Sequence, residues 1–166
     1  MDYSWLVIIH LFCAIVFAGA VVTEVLAVAP LRRKLPPDVF QQVEFHLFRR
    51  IRRVYPLFVL PLFITGGVMF AHHLTAAGGW AGLWGSRFGV LLSIKAGLAL
   101  MMLAIFVTAP FIFLPARRSL GQALRHLIRV EGQPSDFRSD RFDGLHLLAL
   151  ALVSAIVLLA KLMFLL

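Results

Sequence analysis

Long apolar runs separated by short polar segments dominate the pattern along this chain. Four runs, at about residues 5–28, 54–73, 88–114 and 145–166, each approach the roughly 20 apolar residues that a helix needs to cross a bilayer. The polar segments between them are too short for a separate soluble domain, so residues 1–166 form a single transmembrane domain. The pattern predicts an all-α integral membrane protein built as a four-transmembrane-helix bundle.

A shorter amphipathic segment follows the first apolar run. Pro36, Pro37 and Asp38 interrupt that run and suit the start of a new helix. Apolar residues then recur at helical spacings, while the opposite face carries glutamines and arginines. This pattern predicts a short interfacial helix over about residues 37–53, lying in the cytoplasmic membrane surface. A partner helix is the alternative occupant of its apolar face.

The basic residues are unevenly distributed between the polar segments. Of the 16 lysines and arginines, seven lie between the first and second runs, six between the third and fourth, and only Arg87 between the second and third. The positive-inside rule then predicts a multi-pass protein of the inner (cytoplasmic) membrane with both termini outside. The tryptophans fall at the predicted outer surface, where an aromatic belt is expected. They are Trp5, Trp80 and Trp84.

Composition changes how the remaining polar residues are interpreted. The chain is 61% hydrophobic and only 14% charged, so the net charge of +8 reflects topology and attraction to anionic lipid and excludes a nucleic-acid partner. The single cysteine, Cys13, excludes an internal disulfide and a thiolate metal cluster. Ionisable groups inside the apolar runs are costly and are therefore candidates for function. In chain order they are His10, Glu24, His72, His73, Lys95, His146 and Lys161.

Helix geometry sorts these groups into two levels. His10 and Glu24 lie nearly four turns apart, so they share one face and differ in height by roughly 21 Å. Because successive runs cross in alternating directions, the predicted outer level contains His10, His72 or His73, Lys95 and Lys161. The predicted inner level contains Glu24, His146 and the loop arginines.

The outer level suits a b-type haem, which needs a neutral imidazole ligand and cations for its two propionates. His10 is the candidate axial ligand, with His72 or His73 as a second. Lys95 and Lys161 are candidate partners for carboxylates. Copper is the alternative cofactor, with His10 and His72 as candidate ligands.

Each of these groups also has a plain structural interpretation. His10 would then simply hydrogen-bond a neighbouring helix, and Lys161 would extend its ammonium group to the membrane surface. His72 and His73 would be solvated at the interface. A buried carboxylate must be neutral, paired or hydrated, so Glu24 is expected to form an ion pair with an arginine or with His146.

A set of short motifs spans nearly the whole chain. It comprises His10 followed by Phe17-Ala18-Gly19, Arg52-Arg53 before Pro56, Lys95, Arg141-Phe142-Asp143, and Lys161 near the last residue. In these motifs the chain resembles the HemJ-type protoporphyrinogen oxidases and the related CopD-like copper-resistance membrane domains. The resemblance implies that His10 binds haem and that Lys95 and Lys161 are catalytic. We add Arg53 and His146 as further candidate cofactor-binding residues.

Three functions are consistent with these observations. The first is a haem-b membrane oxidoreductase that oxidises a porphyrinogen in porphyrin biosynthesis and passes electrons to quinone or to a partner. The second is a copper-handling membrane protein, and the third is a non-catalytic subunit of a larger membrane complex. The expected partners are the lipid bilayer, quinone or porphyrin, and further subunits in a homo-oligomer or a larger complex.

Overall fold

A computed structural model describes residues 2–31, 33–113, 142–163 and 165. These residues fold into helices and contain no strand, which confirms the predicted all-helical fold for this part of the chain. The elements are α1 (Tyr3–Thr23), a π-helical segment (Glu24–Val28), α2 (Ala29–Leu31), α3 (Pro37–Ala76), α4 (Trp80–Trp84), α5 (Arg87–Phe113) and α6 (Phe142–Leu162).

Three helical stretches are long and apolar enough to cross a membrane. They are Tyr3–Leu31, Val54–Ala76 and Arg87–Thr108. Their most apolar windows are only 11%, 11% and 6% buried inside the protein, so most of their apolar surface faces outward, as contact with lipid requires. The chain is therefore a multi-pass membrane protein. The apolar part of the last helix, Leu147–Leu162, is shorter, and the fourth crossing stays a prediction.

The predicted interfacial helix and the second membrane helix form one continuous element. Helix α3 runs over 40 residues from Pro37 to Ala76, with Pro37 in its first turn. Pro56 and Pro61 lie inside α3 without ending it. We expected one helix to end near residue 53 and another to begin there. The sequence changes from an amphipathic to an apolar pattern at this point, but the helix continues without a break. A location of residues 37–53 in the membrane surface stays a prediction.

The first membrane helix extends further than the pattern predicts, through a π-helical turn. The Ala29 N–H donates to the Glu24 carbonyl across this wider turn. Pro30 follows directly, and a proline inside an α-helix lacks a donor and clashes with the preceding turn. The wider turn lets the chain accommodate Pro30 and continue to Leu31. Glu24, the buried carboxylate singled out by the sequence, is the first residue of this turn.

The long helices contact one another through apolar and aromatic side chains. Helix α1 packs along α3, and α5 packs along α6. Helices α1, α5 and α6 share a buried cluster formed by Val21, Met102, Leu152 and Val153. Tyr55 of α3 stacks on Phe106 of α5 with ring centroids 5.8 Å apart, and its ring also meets Phe17 of α1 at 5.9 Å. Cys13 is buried in α1.

The glycine-rich segment between α3 and α5 is a compact turn that contains the short helix α4. Gly78 and Gly79 adopt φ values of 73° and 102°, which side-chain-bearing residues rarely adopt. A Cβ at Gly82 would collide with the carbonyl oxygen of Ala77. Leu83 is almost fully buried beneath the turn. This packing fixes the connection between the α3 and α5 ends.

Candidate functional site

His10 lies where α1 crosses the middle of α3, and its side chain is half-buried. Its Nδ1 atom is 3.1 Å from the Leu62 carbonyl oxygen and 3.1 Å from the Thr65 hydroxyl. Thr65 is the one buried polar residue among the described residues, at 5% exposure. The imidazole is therefore anchored through one of its two nitrogens to a buried point on the neighbouring helix.

These contacts determine which nitrogen of His10 carries the proton. The Thr65 hydroxyl donates its hydrogen to the Pro61 carbonyl at 2.6 Å, so it can only accept from His10. The Leu62 carbonyl is also an acceptor only. Nδ1 must therefore carry a hydrogen and donate it, which leaves the lone pair on Nε2 in the neutral imidazole. No described residue forms a hydrogen bond with Nε2.

Gly66 provides the space that this arrangement needs. A Cβ at Gly66 would lie 3.0 Å from Cε1 and 3.5 Å from Nδ1 of His10. The adjacent Gly67 has no atom within 4 Å of the equivalent position. Of the two consecutive glycines, only Gly66 is thus required for the approach of His10 to α3.

Lys95 is brought to the same part of the molecule by α5. Its side chain is half-buried, and it lies close enough to His10 for its charge to act on the imidazole. The sequence placed these two residues at one level, and a shared site formed by them stays a prediction. A cation beside a neutral imidazole is a suitable environment for a ligand that carries carboxylates.

His72 and His73 belong to a different cluster, at the end of α3. The Tyr3 hydroxyl forms a 3.0 Å hydrogen bond with Nε2 of His73, and the ring centroids of Tyr3 and His72 are 5.1 Å apart. Phe88 lies against His73 at 5.3 Å. Because His72 and His73 follow Thr65 by about two turns, they lie roughly 10 Å from the His10 level along α3. The structure therefore does not bring them to His10.

Lys161 was also assigned to the predicted outer level. It lies in the final turn of α6 and is exposed. Arg53 and His146 lie on α3 and α6, but their side chains fall outside the described part of the structure, so their roles stay predictions. Among the described residues no group of three or more histidine, cysteine, aspartate or glutamate side chains is arranged to hold a metal ion.

Glu24 lies at the opposite end of the membrane helices from Tyr3. It is half-buried, and its charge acts on the hydroxyl of Tyr55. The contacts of Tyr3 with His73 and of His10 with Thr65 define an antiparallel register between α1 and α3. The contacts of Phe12 with Phe58 and of Phe17 with Tyr55 continue this register and place Glu24 level with about residues 46–48, just before the arginines of α3. The predicted ion pair of Glu24 with an arginine stays a prediction.

Sequence reasoning identified His10 and Lys95 but missed the residues that orient His10. Thr65 lies four residues after Pro61. Only its hydrogen bond with His10, on a different helix, distinguishes it from other threonines. The pair Gly66-Gly67 does indicate room for a ligand or a close helix contact, and the structure identifies Gly66 as the close contact.

Comparisons with known protein families, curated proteins and solved structures give no match to this chain. The functional assignment therefore rests on the geometry around His10. Around His10 the structure shows an imidazole whose Nδ1 donates, an Nε2 without a described hydrogen bond, and a cation within electrostatic range. Axial histidines bound through Nε2 ordinarily donate Nδ1–H to a carbonyl or a carboxylate, as His10 does here.

Proposed function

We propose that this protein is a haem-b-binding membrane oxidoreductase related to the HemJ-type group, with His10 as the axial ligand. The observation that carries the proposal is the donation of Nδ1–H from His10 to the Leu62 carbonyl and Thr65 hydroxyl. A backbone partner of this kind orients an imidazole and increases the basicity of the opposite nitrogen. With Nδ1 occupied in this way, Nε2 carries the lone pair that a metal ligand needs, and no described residue forms a hydrogen bond with it.

The residues around His10 have separate proposed roles. Haem b, when bound, supplies a one-electron redox centre. Gly66 leaves room for the imidazole, and Thr65 holds its orientation. Lys95 pairs with a carboxylate, either a propionate or an acidic group of a porphyrinogen substrate. Electrons leave to quinone or to a partner protein.

We propose that His10 is the only axial histidine among the described side chains. The two axial ligands of one iron face each other across the metal, whereas His72 and His73 lie about two helical turns away and contact Tyr3. Among the described histidines, His10 alone would then hold the haem.

The proposed architecture is a four-helix bundle in the inner membrane with both termini outside and residues 37–53 in the membrane surface. The contacts of α6 with α1 and α5 support a fourth crossing. Leu152 of α6 and Met102 of α5 meet in the shared buried cluster. Along its own helix, Lys161 lies roughly 13 Å from Leu152, and Lys95 lies roughly 10 Å from Met102. If α6 runs antiparallel to α5, both lysines lie on the same side of this cluster. This common level supports a role for Lys161 in binding a second carboxylate.

The haem assignment is tested by the absorption spectrum of protein purified from haem-replete membranes. The wild type should show a Soret band that shifts on reduction. His10→Ala should lose the band, while His73→Ala should retain it, because His73 contacts Tyr3 and lies away from His10. A well-folded wild type without colour would refute the proposal and favour a non-catalytic membrane subunit.

The topology is tested by labelling two introduced cysteines in a Cys13→Ala background. Both Asp38 and Ala81 are exposed; Asp38 lies in the first turn of α3, and Ala81 lies in α4, beyond the other end of α3. Ala81→Cys should react with an impermeant reagent from the outside, and Asp38→Cys only after the membrane is opened. The reverse pattern would invert the proposed orientation.

A further inference from the structure

An apolar groove lies between the inner half of α1 and the first half of α3, away from His10. Its volume is about 280 Å³. Phe17 and Ala20 line it from α1, and Leu47 and Phe58 line it from α3. Small-molecule pockets usually hold about 300–1,000 Å³, so this groove suits a slender aliphatic chain better than a flat macrocycle.

Arg50 is the one charged residue beside the groove, and it lines the groove with the apolar part of its side chain, so that its guanidinium lies outside the apolar wall. It is exposed and precedes Val54, where the apolar span of α3 begins, by one helical turn or roughly 6 Å. A guanidinium at this depth lies near the phosphate groups of the bilayer, and it binds phosphate through two parallel hydrogen bonds. Arg33 and Lys34 are also exposed near the end of the first membrane helix and add positive charge.

The surface beside the groove faces the bilayer. Leu57 and Leu60 of α3 are 70% and 61% exposed, in a part of the helix that is long and apolar enough to span the membrane. A lipid chain can therefore enter from the side, without passing through the protein. Charge at one end and apolar walls along the rest match the two ends of a phospholipid.

We propose that this groove binds one anionic phospholipid, with an acyl chain between Phe17 and Phe58 and the phosphate on Arg50. The positive charge of Arg50 favours an anionic over a zwitterionic headgroup. The site is independent of haem, because its lining shares no residue with the His10 contacts.

The test is native mass spectrometry of the full-length protein in detergent with added phosphatidylglycerol or phosphatidylcholine. The wild type should retain one phosphatidylglycerol, with at least about tenfold preference over phosphatidylcholine. Arg50→Gln should weaken that binding about tenfold, because a hydrogen bond to a charged group is lost. Arg87→Gln, on the exposed arginine that begins α5, is the matched control and should leave the binding unchanged. Ala20→Phe should fill the groove and abolish retention, whereas Leu26→Phe, on an exposed residue outside the groove, should not.

Thermal unfolding provides a second readout for variants that bind weakly. Phosphatidylglycerol should raise the Tm of the wild type and of Arg87→Gln but not that of Arg50→Gln, and all three should unfold alike in phosphatidylcholine. Equal effects of Arg50→Gln and Arg87→Gln would show only general charge attraction and would overturn the proposal. Displacement of phosphatidylglycerol by millimolar inorganic phosphate, or equal retention of both lipids, would overturn it as well.

Discussion

Two histidine clusters in this molecule use the same residue type in opposite ways. His10 donates to a carbonyl and to a buried threonine in the middle of two packed helices. His73 shares an exposed hydrogen bond with Tyr3 at the end of α3. In a water-poor setting a fixed hydrogen bond is strong and directional, whereas an exposed one competes with water. The surroundings of a histidine, more than its presence in an apolar run, therefore identify a ligand.

The largest expected effect comes from closing the space that admits His10. Gly66→Leu adds a side chain whose first carbon alone would lie 3.0 Å from the imidazole, so His10 must move. Overpacking of this kind costs about 1–3 kcal/mol and displaces the ligand. We expect the variant to lose most of its haem, measured as the ratio of Soret to protein absorbance.

Gly67→Leu is the matched control, because nothing lies within 4 Å of a Cβ at that position. It should keep its haem. Equal loss of haem in both variants would mean that the two glycines serve general helix packing and that His10 holds no special position.

A smaller effect is expected when the hydroxyl that orients His10 is removed. Thr65→Val keeps the shape of the side chain but leaves Nδ1–H with only the Leu62 carbonyl. Loss of an outer hydrogen-bond partner typically weakens metal binding by about 10–100-fold, so haem should dissociate about tenfold faster. Transfer of haem to apomyoglobin measures that rate.

Thr75→Val is the control for that experiment. Thr75 also donates its hydroxyl to the carbonyl four residues earlier, at 2.9 Å, but it contacts no histidine. If Thr75→Val accelerated haem loss as much as Thr65→Val, the proposed role of the Thr65 hydroxyl in orienting His10 would be wrong.

The charge of Lys95 should set the reduction potential more than haem retention. A nearby cation favours the reduced, less positive iron, so Lys95→Gln should lower the midpoint potential, on the order of tens of millivolts. Redox titration followed in the Soret region measures the shift. Arg87→Gln, on the exposed first turn of the same helix, should leave the potential within error of the wild type.

The smallest effect is expected at the outer cluster. Tyr3→Phe removes the hydroxyl that bonds His73, and an exposed hydrogen bond contributes about 1 kcal/mol or less. We expect a slight decrease in Tm and an unchanged haem spectrum. A spectrum altered by Tyr3→Phe would show that the two clusters are coupled.

The sequence predicted the parts of this fold that depend on local pattern. Apolar run lengths indicated the membrane helices, and helix periodicity placed His10 and Glu24 on one face of the first helix. The continuous helix from Pro37 to Ala76 was not predicted, because a change in polarity near Val54 resembles an element boundary although the backbone does not break there.

The rest of the site depends on contacts between distant segments. Thr65 and His10 are 55 residues apart in the chain, and no local signal joins them. His72 and His73 were placed at the His10 level because the sequence gives heights only to within a few turns. Their position beside Tyr3 became clear only from the register between α1 and α3.

Chemical rescue tests the central claim most directly. His10→Gly removes the imidazole and leaves a small space beside Gly66, and the purified variant should lack the Soret band. Added imidazole should restore haem binding and a spectrum close to that of the wild type, with no such dependence for His73→Gly. A His10→Gly protein that retains haem without imidazole would contradict the assignment of His10 as the axial ligand.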